Sequence, residues 1–281
     1  MSYLLQQDQK NYAAWSQRNV VQFYTGQRHT VEELYDSERA LLVPALESCA
    51  SVLDVGCAAG GFSQILQALK AGIRYVGVDV SADLIAAARR SYPTSRFEVS
   101  DGSVLAFPDQ AFDLTLCTGV LLHNPNYQEM IRECYRVARR GCVIDVPRLV
   151  SVPYTFDLAT SYMVLKRRFR EGTDGLDERH TIVPYVLSHP QPLFDCLVNG
   201  LKPRPSVVAA VGYYGQTNES VTLPVKPVCF CVVYLAKVGE AVQETKLLLD
   251  LPEEIKSQIQ VDHVQVLREG RAAISHLIRG A

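Results

Sequence analysis

Four residues in the first half of the chain have the type and placement to do chemistry: Asp54, Asp79, Asp101 and His123. Each stands within or just after a short apolar run, where a strand would deliver it to an edge. A carboxylate supplies only acceptors, so it suits ligand hydroxyls, amines or cations. An imidazole with its ordinary pKa near 6.5 can take a proton at neutral pH. A second histidine, His180, is the alternative base, ahead of His189 and Tyr185. No Ser-His-Asp or Cys-His arrangement is legible, and the histidines and acids lack the spacing of a metal site. The small residues Gly56 to Gly61 follow Asp54 directly. Such a turn brings backbone N–H groups and a helix N-terminus against a ligand.

Those residues need elements to hold them. Val52, Leu53 and Val55 predict a strand, and Phe62, Ile65, Leu66 and Leu69 predict the helix after the turn. Residues 74–80 form a second strand ending at Asp79, with Ser81 as the next helix's N-cap. Strand, small-residue turn and helix open a doubly wound α/β domain. Gly56-x-Ala58-x-x-Gly61 comes close to the dinucleotide fingerprint. There, however, the second glycine lets backbone approach a pyrophosphate, and here the Ala58 methyl obstructs it. Asp54 would also set a carboxylate near a doubly anionic group. A ligand with positive charges suits this turn better. Asp79 lies 23 residues after Gly56, close to the spacing of about 20 for a ribose-binding acid. It serves either kind of nucleoside ligand.

Asp54-x-Gly56-x-Ala58-x-Gly60 resembles the D/E-x-G-x-G-x-G motif of class I S-adenosylmethionine-dependent methyltransferases, with Ala58 a departure from the commonest pattern. The likeness continues through the acid at Asp79, through Ser100-Asp101-Gly102-Ser103, and through Phe107-Pro108-Asp109-Gln110-Ala111-Phe112-Asp113. It runs on through Gly119 to Pro125, the helix with Glu133 and Arg136, and the strand Cys142 to Val146, spanning residues 50–147. The resemblance implies a Rossmann-like seven-stranded sheet whose last strand is antiparallel. It implies S-adenosyl-L-methionine as cofactor and S-adenosyl-L-homocysteine as product. It carries cofactor contacts onto Asp54, Gly56, Cys57, Ala58, Gly60, Asp79, Val80, Asp101, Gly102, Ser103 and Thr118, with Asp101 accepting from the adenine amino group. Asp113 is expected to hold its strand start in place. The sulfonium is already activated, so the protein's tasks are alignment and exclusion of water, with His123 or His180 as base where the acceptor needs one.

The rest of the chain sets the boundaries. Residues 1–48 read as two helices, the second beginning at a Thr30-x-x-Glu33 capping box. The resemblance implies that they fold over the cofactor as a lid, and the other reading of their aromatic face is packing on the core. Residues 49–238 are the methyltransferase domain, with 148–180 a helical cap insertion that contributes to the acceptor pocket. Its basic run, Lys166 to Arg170, reads as a solvated face ahead of an anion site. A helix is expected at residues 192–200 and strands at 206–211 and 228–236, with no helix between those strands. Residues 239–281 read as a helical tail whose Val264, Leu267, Ile274 and Leu277 need a surface, either the parent domain or a second copy in a homodimer.

Net charge −2 argues against nucleic acid, and no apolar run is long enough for a membrane span. The eight scattered cysteines, without a C-x-x-C pair, suit free thiols and a cytoplasmic setting. The expected function is methyl transfer to an oxygen or nitrogen of a small-molecule or glycan-type acceptor. The competing readings are a dinucleotide-dependent oxidoreductase, a non-catalytic cofactor-binding module, and an RNA methyltransferase resting on the basic run alone.

Overall fold

The first strand, β1 (Ser51–Val55), is buried along its whole length, because it is flanked on both edges and covered on both faces. The computed structural model describes residues 14–16, 18–165, 182–240, 242–268 and 270–281. After β1 come α3 (Gly61–Leu69), β2 (Arg74–Asp79), α4 (Ala82–Ser91), β3 (Arg96–Val99) and β4 (Phe112–Cys117); before it lie α1 (Arg18–Thr25) and α2 (Asp36–Leu46). The chain continues through α5 (Tyr127–Val137), β5 (Ala138–Asp145), β6 (Arg148–Leu149), β7 (Tyr162–Val164), β8 (Ile182–Pro184), β9 (Leu187–Ser188) and α6 (Pro190–Asn199). It ends with β10 (Val207–Gly215), β11 (Val221–Thr222), β12 (Val228–Ala236), β13 (Thr245–Asp250), α7 (Glu253–Lys256), β14 (Val264–Leu267) and α8 (Arg271–Arg279).

The main sheet has the order β14-β13-β10-β12-β5-β4-β1-β2-β3. β12 runs antiparallel to both β5 and β10, while the other neighbours along this path are parallel. The seven strands from β10 to β3 are the expected α/β sheet with its antiparallel last strand. No helix occurs between β10 and β12 among the described residues, so the chain returns without the further parallel βαβ unit that a dinucleotide fold would add.

Alternation along each strand feeds two cores. Leu53 and Val55 join Val76, Val78, Ile131, Tyr135 and Phe194 on one face. Val52 joins Tyr75, Leu114, Leu42, Ile65, Ile85 and Ile274 on the other. This sandwich puts the carboxyl ends of β1, β2, β4 and β5 on one edge, where open α/β sheets bind ligands.

Three expectations are corrected. The C-terminal tail is not helical throughout: β13 and β14 extend the sheet in parallel beyond β10. Leu247 enters one core and Leu248 the other. A strand buries such consecutive apolar residues on both faces, and the open edge of β10 supplies its hydrogen bonds. Helix α8 packs on α2 of the same chain, and Arg279 reaches Glu47 with bonds of 2.6 and 2.8 Å. The described part of the cap, residues 148–165, contains β6 and β7 and no helix; β7 pairs with β8 and β11 in a separate sheet. Pro153, with valine, threonine and aromatic side chains around it, favours extended backbone there. The rest of the cap, including the basic run, lies outside the described residues. Finally, Glu33 accepts from the Thr30 N–H at 2.8 Å, but this capping closes only the short turn Val31–Glu33. Helix α2 starts later, where Glu38 accepts from the Tyr35 N–H at 2.9 Å.

Asp113 holds the strand start, as its position at the entry to β4 implies. It accepts from Ala50 N at 2.8 Å, Ser51 N at 3.1 Å and Arg139 Nε at 2.8 Å. Burial opposes its charge, but these donors outweigh burial and hold the carboxyl below the usual aspartate range. Its stabilising contribution is therefore complete above the unfolded pKa near 3.9 and is lost as pH falls through the lower folded value. Asp113→Ala should cost about 3 kcal/mol at pH 7, read by urea denaturation, and the gap from the parent should narrow in acid.

Candidate active site

The turn after β1 is built by backbone that few residues tolerate. Gly56 has φ +79°, and a Cβ there would meet Val120 Cγ2 at 2.1 Å. Gly60 has φ +85° and packs against the Phe97 ring, 2.7 Å from where its Cβ would lie. Ala58 itself adopts φ +48°, a left-handed conformation that costs an L-residue roughly 1–2 kcal/mol. Its N–H is repaid with a 3.0 Å bond to Asp79 Oδ2. Gly56 and Cys57 both donate to Val78 O, at 2.8 and 3.0 Å, tying the turn to β2.

Asp79 ends β2, and its other oxygen accepts from Ser81 N at 2.9 Å. Burial pushes this carboxyl up, against the pull of the Ser81, Ala58 and Val80 N–H groups. The Ser81 hydroxyl caps α4 by accepting from Leu84 N at 3.3 Å. Asp54 is also buried, and Tyr75 donates its hydroxyl to Asp54 Oδ2 at 2.7 Å. Burial dominates there and raises the carboxyl to about 7, with Asp79 adding to the rise and Tyr75 and Arg28 opposing it.

Asp54 and Asp79 line a cleft of about 330 Å³ with Gly56, Cys57, Ala58, Val80, Asp101, Gly102, Thr118 and His123. Two expected contacts are not among the lining residues. Gly60 serves the helix start and its packing on Phe97, and Ser103 donates to Asp101 Oδ1 through N at 2.9 Å and Oγ at 2.6 Å.

His123 follows β4 in a short turn, Leu121–His123. Its Nδ1 lies 2.7 Å from Pro184 O. A carbonyl only accepts, so Nδ1 carries the hydrogen and Nε2 keeps a lone pair. Burial lowers this imidazole to about 4, so it is neutral at physiological pH. Its ring lies 5.0 Å from Trp15 and 5.9 Å from Tyr185 between centroids. His180 lies outside the described residues. His189 is spent as the N-cap of α6, accepting from Gln191 N at 3.3 Å. Among the described residues, no group of three or more His, Cys, Asp and Glu could hold a metal ion.

The N-terminal segment closes one wall. Trp15, Phe23, Tyr24, Gln27 and Arg28 line the cleft. A Cβ on Gly61 would meet Arg28 O at 2.1 Å, so glycine there admits this segment. Burial, with Asp79 adding, pushes the Tyr24 phenol to about 12. Arg28 spans the Phe62 and Tyr35 rings at 4.6 and 5.1 Å. Sequence reading missed Tyr75 and Arg28 because their roles lie in contacts across elements. Gly61, directly after Gly60, was the one legible hint of a close approach.

Residues 53–144 match the family model described as a methyltransferase domain. The chain is 29% identical over 119 residues to trans-aconitate 2-methyltransferase of Variovorax paradoxus, covering 42% of this chain and 46% of that one. It is 34% identical over 94 residues to the ubiquinone biosynthesis O-methyltransferase of Coxiella burnetii, covering 32% and 39%. The matched stretches thus span less than half the length of these curated relatives. A solved S-adenosylmethionine-dependent methyltransferase from Methanosarcina mazei shares the fold, with a TM-score of 0.50 at 17% identity over 74% of this chain and 99% of that one. Among the described residues, no helix is long and apolar enough to cross a membrane.

Burial of the Asp54 carboxyl makes the stability of the protein without ligand depend on pH. An acid whose folded pKa exceeds its unfolded value near 3.9 gives stability that is full below that value and lost as pH rises through about 7. Asp54→Asn keeps an oxygen for the Tyr75 hydroxyl and removes the charge. In thermal melts its Tm should gain on the parent's between pH 5 and pH 8; parallel curves would show that Asp54 ionises normally.

Proposed function

We propose that this chain, which carries a class I S-adenosylmethionine-dependent methyltransferase domain, moves a methyl group to an oxygen or nitrogen of a small-molecule or glycan-type acceptor. The observation that carries the reading is one cleft joining the glycine turn, two buried carboxyls and a neutral histidine. S-adenosylmethionine supplies there a methyl group on a sulfonium, already activated for transfer.

The residues fit that cofactor. Asp54 is a buried carboxyl whose ionisation burial opposes, so a ligand ammonium, met directly or through water, would supply the charge it lacks. Each oxygen of Asp79 already takes one N–H and retains lone pairs for the two ribose hydroxyls. Asp101 would accept from the adenine amino group. Gly102 and Thr118 shape the wall beside it, and Ser103 acts by orienting Asp101. Trp15 and Tyr24 form the lid that excludes water.

His123 presents Nε2 as a hydrogen-bond acceptor for the nucleophile's proton. With a conjugate acid near 4 it is a weak base, so its main contribution is to orient the acceptor. The named relatives act on chemically different acceptors, and the likeness transfers none of them.

Asp79→Ala should weaken S-adenosylhomocysteine binding at least tenfold by calorimetry, since each charge-assisted bond to ribose is worth roughly 1.5–3 kcal/mol. Unchanged affinity would remove the ribose role. In the parent, affinity should fall by up to about tenfold per pH unit below about 7, because Asp54 must lose its proton to meet the ligand ammonium. His123→Ala should lower kcat about a hundredfold through lost positioning of the acceptor, with little change in S-adenosylhomocysteine affinity. The parent's pH–rate profile should lack an inflection near 6.5 from this imidazole.

A further inference from the structure

Beside the cleft, at the carboxyl end of β5, lies a group of four charged side chains of which Arg28 alone lines the cleft itself. Asp145 ends β5, and Arg148 Nη1 donates to its Oδ1 at 2.9 Å. Both residues are buried. Arg148 Nε donates to the Tyr185 hydroxyl at 3.2 Å, and its guanidinium lies 4.1 Å from the Phe230 ring centroid. Burial works against the charge of Arg148, and Asp145 and Tyr185 together more than offset it. Glu38, buried at the start of α2, pairs with Arg28 Nη2 through Oε2, the oxygen that also takes the Tyr35 N–H. Burial raises Glu38, and Asp145 is near enough to add to the rise. Helix α2, which carries Glu38, packs against β5, β10 and β12, and this packing sets the two ion pairs in one neighbourhood. Arg28 lines the cofactor cleft, and the Tyr185 ring adjoins His123, so it is continuous with the proposed reaction centre.

Its composition selects among acceptors. Two arginines and two carboxylates sum to zero charge, so an anion attracted by the cations meets Asp145 and Glu38, and a cation meets Arg28 and Arg148. Among the described residues, Asp145 Oδ2, Glu38 Oε1 and Arg148 Nη2 take part in no hydrogen bond. Spare acceptors and a spare donor in one neighbourhood suit hydroxyl groups, which donate and accept at once. Tyr213, 42% exposed, stacks on Phe230 with centroids 5.8 Å apart and planes at 10°. Its phenol lies within electrostatic reach of Tyr35, Arg148, Asp145 and Glu38. An exposed ring beside such a polar group offers a platform for the C–H face of a sugar.

We infer that Asp145, Arg148, Glu38 and Arg28, with the Tyr213 ring, form an acceptor subsite for an uncharged, polyhydroxylated ligand, a glycosyl unit. The inference rests on the methyltransferase reading above and names the acceptor class for it.

The test uses the full chain loaded with S-adenosylhomocysteine and saturation-transfer NMR. The probes are uncharged methyl glycosides of hexoses, deoxyhexoses and pentoses, set against a simple phenol, a dicarboxylate and an arylalkylamine. At least one glycoside should bind in preference to the other three classes. Asp145→Asn, which keeps the shape of the side chain, and Tyr213→Ala, at an exposed position, should each weaken it fivefold or more. S-adenosylhomocysteine affinity, measured by calorimetry on the same samples, should stay within twofold. Preference for the phenol, dicarboxylate or amine would overturn the inference, as would no glycoside binding to loaded protein, or glycoside binding indifferent to both variants. Failure to bind S-adenosylhomocysteine at all would instead overturn the cofactor reading, and the inference with it.

Discussion

The structure around the cleft depends on one carboxylate, Asp79, bonded to backbone on two sides. One oxygen accepts the N–H of Ala58 and the other that of Ser81. The first bond fixes the turn after β1, and the second fixes the entry to α4. Removing either donor would leave a buried charge short of partners, which costs more than an ordinary hydrogen bond contributes. The same bond accounts for alanine at position 58. A methyl-bearing residue at φ +48° is strained, and the N–H to Asp79 is the interaction that offsets the strain. Ala58 thus departs from the commonest glycine pattern without displacing the turn.

Around this anchor, the site concentrates charges in surroundings that disfavour them. Asp54 lies beneath the turn with a carboxyl near 7, held by the Tyr75 hydroxyl alone among the hydrogen bonds of the described residues. Glu38 is raised by burial as well. Burying such groups costs stability when they ionise, and perturbed carboxyls of this kind cluster at functional sites. His123 responds to the same desolvation as a base. Burial keeps it neutral, and the Pro184 carbonyl selects its tautomer, so one nitrogen stays an acceptor at physiological pH. The glycine turn, Asp79 and His123 come from three different strand ends, and only the parallel order of β2, β1 and β4 brings them to one edge.

Much of this was legible in sequence because the signals are local. The turn needs small residues over six positions, the acids stand at strand ends, and the antiparallel return of β12 follows from the missing helix between two apolar runs. The tail was misread for an equally physical reason. Leu247 to Leu249 fit a helix or a doubly buried strand, and periodicity cannot separate the two over so short a run. The open edge of β10, formed far away in sequence, decided for strand. The capping pattern at Thr30 was real but closed a single turn, since a cap satisfies orphan N–H groups without dictating how far a helix runs.

By itself, then, the sequence determined the element order of residues 51–145, the glycine turn, the carboxylates at the strand ends and the histidine after β4. Those follow from residue type, short-range sterics and hydrophobic period. The tertiary structure decided what each group experiences. It set the burial that raises Asp54 and lowers His123, each toward its neutral form, the Tyr75 and Arg28 contacts across elements, and the two-strand extension of the sheet. It also brought Glu38 from α2 beside Asp145 from β5, residues more than a hundred positions apart. Desolvation and long-range pairing depend on which surfaces meet, and that is a property of the folded chain.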